Sequence, residues 1–173
     1  MMTGRPQSSE AAPYYFTYID CVTGEDVLPL LSSQLDQMLA FCAGISEDKS
    51  LYRYAADKWS IRQALNHIID TERAFAFRAL WFARGFDTPL PSYDQNIAAA
   101  GAEADRTAWS AQVEEFRRVR LSSISLFDNL PPEAWSRGGI ASDNHFTVRA
   151  LAWIIAGHVE HHRRVLAERY GLK

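Results

Sequence analysis

Four stretches of this chain repeat their apolar residues at helical spacing, and nothing between them alternates convincingly as a strand would. The first runs over about 27–45. Asp26 is placed as its N-cap, with Val27, Leu31, Gln34, Met38 and Cys42 along one side and Leu28, Leu35 and Leu39 beside them. The second starts sharply, because Ser60 and Gln63 form the S-x-x-Q capping box and Trp59 precedes them in the place of a staple residue. Its stripe is Ile61, Ala64, Ile68, Phe75, Ala79 and Phe82, and Gly85 stands where a helix closes. The third covers about 107–127, with Trp109, Val113, Phe116, Ile124 and Phe127 on one side, and Pro131 and Pro132 forbid its continuation. The fourth starts near Thr147 and ends before Gly171, with Val148, Leu151, Ile155, Val159 and Leu166 as its stripe.

Four long amphipathic helices in one small chain predict an all-α four-helix bundle. Its connections are long, at 46–59, 85–106 and 128–146. Extended chain covers about 3.3 Å per residue, so the 85–106 connection is long enough to run the length of a helix. The second and third helices are thereby free to lie parallel, as in bundles with a crossover. The 173 residues suit one domain. We expect 1–17 to be a flexible tail and 18–173 the bundle.

Composition excludes several classes. Hydrophobic residues make up 47% and charged residues 23%, too apolar for disorder. The net charge is −3, which argues against a nucleic-acid partner despite the run Arg117-Arg118-Val119-Arg120. The start lacks the apolar core of a signal peptide, and no stretch reaches the roughly 18 apolar residues of a membrane span. Cys21 and Cys42 form no CxxC and read as reduced thiols. A cytoplasmic location is expected.

The chain has five histidines, and three of them crowd at 158, 161 and 162. On a helix turning about 100° per residue, His158 and His162 share the face that carries Leu151 and Ile155. Two imidazoles at i, i+4 can grip one metal ion, the geometry of H-x-x-x-H in zinc enzymes. His161 falls to the side of that face and is expected at the rim. A third ligand should come from another helix, and His67, at the edge of the second stripe, is the candidate there. A lone His67 would more often be a structural histidine. Together, however, buried imidazoles demand polar partners. Three histidines with an open position suit zinc, nickel or a similar divalent ion. His145 is read as a surface residue. Carboxylate di-iron chemistry is disfavoured, because no glutamate stands three residues before any histidine.

Other polar residues sit in apolar company. Arg120 falls on the Trp109–Phe116–Phe127 side of the third helix, either snorkelling outward or buried against a carboxylate or an anionic substrate group. Asp70 and Glu72 follow His67 closely enough to orient an imidazole, or else belong to a solvated face. Asp94, in Pro91-Ser92-Tyr93-Asp94, is either a turn former or a loop carboxylate arching over a metal.

Trp59-Ser60-Ile61-Arg62, followed by His67-Ile68-Ile69-Asp70-Thr71-Glu72, resembles the opening of DinB-like metal-binding bundles. Leu90-Pro91-Ser92-Tyr93-Asp94 is similar to their central loop, and Arg149-Ala150-Leu151 with Ala156-Gly157-His158-Val159-Glu160-His161-His162 to their last helix. The likeness runs from about residue 18 to 170. It implies up-down-down-up order and a divalent metal on His67, His158 and His162. It also implies frequent homodimers. Some such proteins are transferases using bacillithiol, mycothiol or glutathione, and one branch isomerises maleylpyruvate. The expectation is therefore a metal-dependent enzyme with a small-molecule substrate and a low-molecular-weight thiol cosubstrate, acting in detoxification or stress response, with Asp94 and Arg120 as candidate catalytic groups. A non-catalytic metal-binding stress protein or sensor, or a metal-dependent hydrolase, is the alternative.

Overall fold

The computed structural model describes residues 3–172. Its helices follow in chain order as α1 (Pro13–Ile19), α2 (Val27–Ala43), α3 (Glu47–Ser50), α4 (Ile61–Ala83), α5 (Gln95–Ala102), α6 (Trp109–Asp128) and α7 (Val148–Tyr170). The four long ones, α2, α4, α6 and α7, are the four that periodicity predicts, within a few residues at each end. Their starts are fixed by side chains that satisfy free backbone N–H groups. Asp26 accepts from Leu28 N, and Thr147 from Ala150 N. At α4 both legs of the capping box form, Gln63 N to Ser60 Oγ and Ser60 N to Gln63 Oε1, each 3.0 Å.

Helix directions follow from which residues meet. At one end Arg62 of α4 donates to the Thr107 carbonyl just before α6, and further along Glu72 pairs with Arg120, so α4 and α6 run parallel. On α2, Cys42 meets Trp109 while Gln34 meets Arg120, so α2 opposes α6. His67 of α4 meets His158 and Tyr170 reaches back to the Trp59 carbonyl, so α7 opposes α4. The order is up-down-down-up, and the 85–106 connection makes the crossover. It is not bare loop: it carries α5 and a 3₁₀ turn at Ala104–Arg106. No helix among the described residues is long and apolar enough to cross a membrane.

Two expectations are corrected. A strand pair does lie between α6 and α7: β1 (Gly138–Ala141) pairs antiparallel with β2 (Asn144–Thr147). The pair is closed by Ser142 and Asp143, both at positive φ (50° and 59°), as a two-residue hairpin turn requires. Gly138 and Gly139 conceal β1 from propensity. Glycine is demanded there by packing, since a Cβ at Gly139 would enter the Phe82 ring.

The N-terminal segment is not a flexible tail over its described part. Glu10 pairs with Arg149 (2.6 Å) and accepts from Thr147 Oγ1 (2.7 Å). Trp153 Nε1 donates to the Gly4 carbonyl, and Arg5 stacks over the Trp153 ring. Arg5 also donates to the carbonyls of Ile19 and Val22. These contacts hold α1 against α7, at a crossing possible only because residue 157 is glycine. A Cβ there would overlap the carbonyl carbon and oxygen of Tyr18. Gly157→Ala should therefore destabilise, although alanine is the better helix former by about 1 kcal/mol. Overpacking against backbone costs about 1–3 kcal/mol or more, so we expect the melting temperature to fall by about 5–10 °C. An unchanged or raised melting temperature would contradict the packing.

Candidate metal centre and its cleft

The α4 stripe places His67 on the inward face, and the α7 stripe places His158 and His162 opposite it. His67 and His158 are buried, and His162 is half-buried. The Nε2 atoms of His67 and His162 each lie 3.1 Å from Nε2 of His158, and the three donor atoms fall within 4.8 Å of one another. Burial pushes the His67 pKa down to about 4 and that of His162 to about 3, the neighbouring histidines adding to the effect. Burial also drives His158 well below its ordinary value. All three are neutral imidazoles at physiological pH.

Hydrogen bonding alone cannot serve this arrangement. Nε2 of a neutral imidazole offers one lone pair or one proton, and two nitrogens converge on that single atom of His158. A cation satisfies all three lone pairs at once. Nitrogens about 2.0–2.1 Å from a tetrahedral ion stand about 3.3 Å apart, close to the two 3.1 Å separations from His158. The donor set therefore fits a divalent transition metal. Thr71 Oγ1 lies 3.4 Å from Nδ1 of His67, on the side away from the cluster, where it can accept that N–H and keep Nε2 free to ligate.

His67 and His158 form part of the floor of a cleft of about 450 Å³. Its walls come from α1 (Tyr14, Tyr15, Tyr18), from the Ser92–Asn96 segment, and from the hairpin turn (Ser142, Asn144). The Tyr18 ring stands edge-on to both His158 and His161, 5.3 and 5.4 Å between centroids. His161 is half-buried and stands outside the three-histidine cluster, and His145 is exposed on β2.

The other expected site residues lie elsewhere or are otherwise engaged. Arg120 is not at the cleft. It is fully buried between helices, bidentate on Glu72 with both N–O distances 2.9 Å, and its Nη1 bonds Gln34 Oε1. Neither snorkelling nor substrate binding describes it. Glu72 is committed to Arg120, and Asp70 bonds Asn66 and Arg73, so neither orients an imidazole. Asp94 does line the cleft, but its Oδ1 caps α5 by accepting from Asn96 N and Ile97 N.

Sequence reasoning misses Arg78. It stands eleven residues after His67, about three turns and so on the same face, between Phe75 and Phe82 of the stripe. A charge at that register was the available signal.

The DinB superfamily model matches residues 30–166. Among solved structures, YfiT from Bacillus subtilis, described as a probable metal-dependent hydrolase with an unusual four-helix bundle topology, superposes with a TM-score of 0.70 at 17% identity. The match covers 98% of this chain and 94% of that one. A mycothiol-dependent maleylpyruvate isomerase gives 0.68 at 12% identity, over 84% of this chain and 60% of that one. No curated protein sequence matches the chain.

Proposed function

The chain belongs to the DinB superfamily, and we propose that it is a divalent-metal-dependent enzyme that transfers a low-molecular-weight thiol to a small electrophile. The observation that carries this reading is the convergence of three neutral Nε2 atoms, two of them on histidines that line an open cleft. A metal serving only as a structural clip needs no such access. Three nitrogen donors leave a coordination position for a reactant, as in catalytic rather than closed sites. Zinc and nickel suit the donors.

An ion held by His67, His158 and His162 would lower the pKa of a coordinated thiol or water. The chain itself would supply the ligands and a wall of tyrosines beside them, with Thr71 in place to set the His67 tautomer. Among the described residues, the one carboxylate lining the cleft is Asp94, whose Oδ1 accepts from Asn96 N and Ile97 N while Oδ2 stays open. Hydrolysis asks for a base to take the proton of water. A thiol, with a free pKa of about 8.5, needs only the ion's charge to become a nucleophile. The lower intrinsic pKa of a thiol favours thiol transfer, and the match to YfiT along almost its whole length keeps hydrolysis as the second reading.

The test is a turnover assay of zinc-loaded and nickel-loaded protein with monobromobimane and a panel of thiols, beside p-nitrophenyl acetate without thiol. We expect thiol conjugation at least a hundredfold faster than with metal-free protein. Ester hydrolysis without thiol would transfer the assignment to a hydrolase, and absence of both would favour a non-catalytic metal protein.

A further inference from the structure

Arg78 is the one strongly buried arginine that no carboxylate meets among the described residues. Arg62, 4% exposed, pairs with Glu47, and Arg120, at 0%, with Glu72. Arg78, at 5%, has only Nη2 engaged, with Ser142 Oγ at 2.8 Å and the Pro91 carbonyl at 3.4 Å. Nε and Nη1 bond to nothing else described, and the side chain lies over the Phe75 and Phe146 rings. Burying an unpaired guanidinium is costly, and a structural role would call for an acid beside it. Arg78 instead faces the cleft. On the Ser92–Asn96 wall of the same cleft, the Tyr93 hydroxyl is buried and has no hydrogen-bond partner. A cation without its anion and a hydroxyl without a partner are what a polar ligand's absence leaves behind.

We propose that Arg78 anchors a carboxylate of the ligand, assisted by Ser142 and Tyr93, at the end of the cleft away from the histidines. A singly charged carboxylate suits a single guanidinium, whose planar fork matches it. A dianionic phosphate would be undercompensated there and would meet Asp94 on the same wall. Eleven residues of helix separate His67 from Arg78 by about 16 Å along the axis. Both side chains lean toward the N-terminus, so only the greater length of the arginine shortens that span. The ligand is then an elongated organic acid, its carboxylate well separated from its reacting atom. This rests on the reading above for the reacting end, but the anchor itself needs no metal.

Calorimetric titration tests it with hexanoate and hexanamide on metal-free protein, and with 6-mercaptohexanoate and 6-mercaptohexan-1-ol on zinc-loaded protein. We expect each acid to bind at least tenfold tighter than its neutral partner. Arg78→Gln should abolish that preference and Arg78→Lys retain part of it. Tyr93→Phe should weaken acid binding several-fold without lowering the melting temperature, since the hydroxyl has no partner to lose. Equal affinity for hexanoate and hexanamide in the unaltered protein overturns the proposal, even where the variants fail to fold. Tighter binding of hexyl phosphate than hexanoate overturns the carboxylate assignment. Acid preference that depends on Arg78 in a protein that takes up no zinc sustains the anchor while sinking the metal reading. Thiol turnover without any acid preference does the reverse.

Discussion

Alanine at His158 is expected to abolish stoichiometric metal binding. Its Nε2 is the shared neighbour of both other donors, at 3.1 Å from each, so its loss leaves two imidazoles with no common partner between them. Disturbing even the groups that orient a ligand costs about 10- to 100-fold in metal affinity, so deleting a ligand should cost more than a hundredfold. His67→Ala and His162→Ala should behave alike, whereas His161→Ala should keep its metal. Elemental analysis of the purified variants decides this, and retained stoichiometric zinc in His162→Ala would sink the ligand set. The same burial gives the metal-free protein an acid sensitivity. His67 and His162 hold their protons more weakly folded, with pKa values of about 4 and 3, than unfolded, at about 6.5. The unfolded chain therefore binds the extra protons. Stability is complete above about pH 6.5 and falls on acidification toward pH 4, by roughly 1.4 kcal/mol per pH unit for each proton. A melting temperature that stays level from pH 6.5 to 4.5 in metal-free protein would contradict the neutral, buried triad.

The second large effect is expected at Arg120. Its guanidinium is bidentate on Glu72 of α4 and bonded to Gln34 of α2, whose Nε2 donates to the Ala156 carbonyl of α7. One side chain on α6 thus ties together all four long helices. Arg120→Ala strands the Glu72 carboxylate in the core, and breaking a buried pair in this way costs about 3–5 kcal/mol. Total stabilities of about 5–15 kcal/mol make that a loss close to unfolding. Replacing both partners by apolar residues, as in Arg120→Met with Glu72→Leu, should recover most of it, because no uncompensated charge remains. Urea unfolding measures both. A cost below about 1 kcal/mol for Arg120→Ala would show that the pair is not the tie described. The double variant, once folded, should bind metal as the unaltered protein does, since neither residue touches the cleft.

Periodicity and capping residues made the four long helices legible, because burial of one face is a local constraint written at fixed spacing. The histidine triad was legible for the same reason: i, i+4 sets His158 and His162 side by side, and only His67 had to be brought from elsewhere. What stayed hidden depends on pairing across the fold. Glu10 and Arg149 are 139 positions apart, and nothing local in 1–17 announces that Glu10 will be bolted to α7. Arg120 carried the right signal, a charge on an apolar face, but its partner Glu72 read as surface. Arg78 carried the same signal and went unnoticed. The two arginines differ only in what stands opposite, an acid for one and an open cleft for the other, and that is a fact of three-dimensional packing. The β1–β2 hairpin was masked by glycines chosen for close approach rather than for extended backbone.

The clamping of α1 onto Gly157 has a consequence for how such a protein diverges. His67, His158, His162 and Arg78 lie within residues 30–166, where the superfamily match falls, while Tyr14, Tyr15 and Tyr18, which form one wall of the cleft, lie before it. One wall of the cleft is thus encoded apart from the histidines beneath it. Drift in the codons of α1 can recut that wall while the histidine codons stay unchanged.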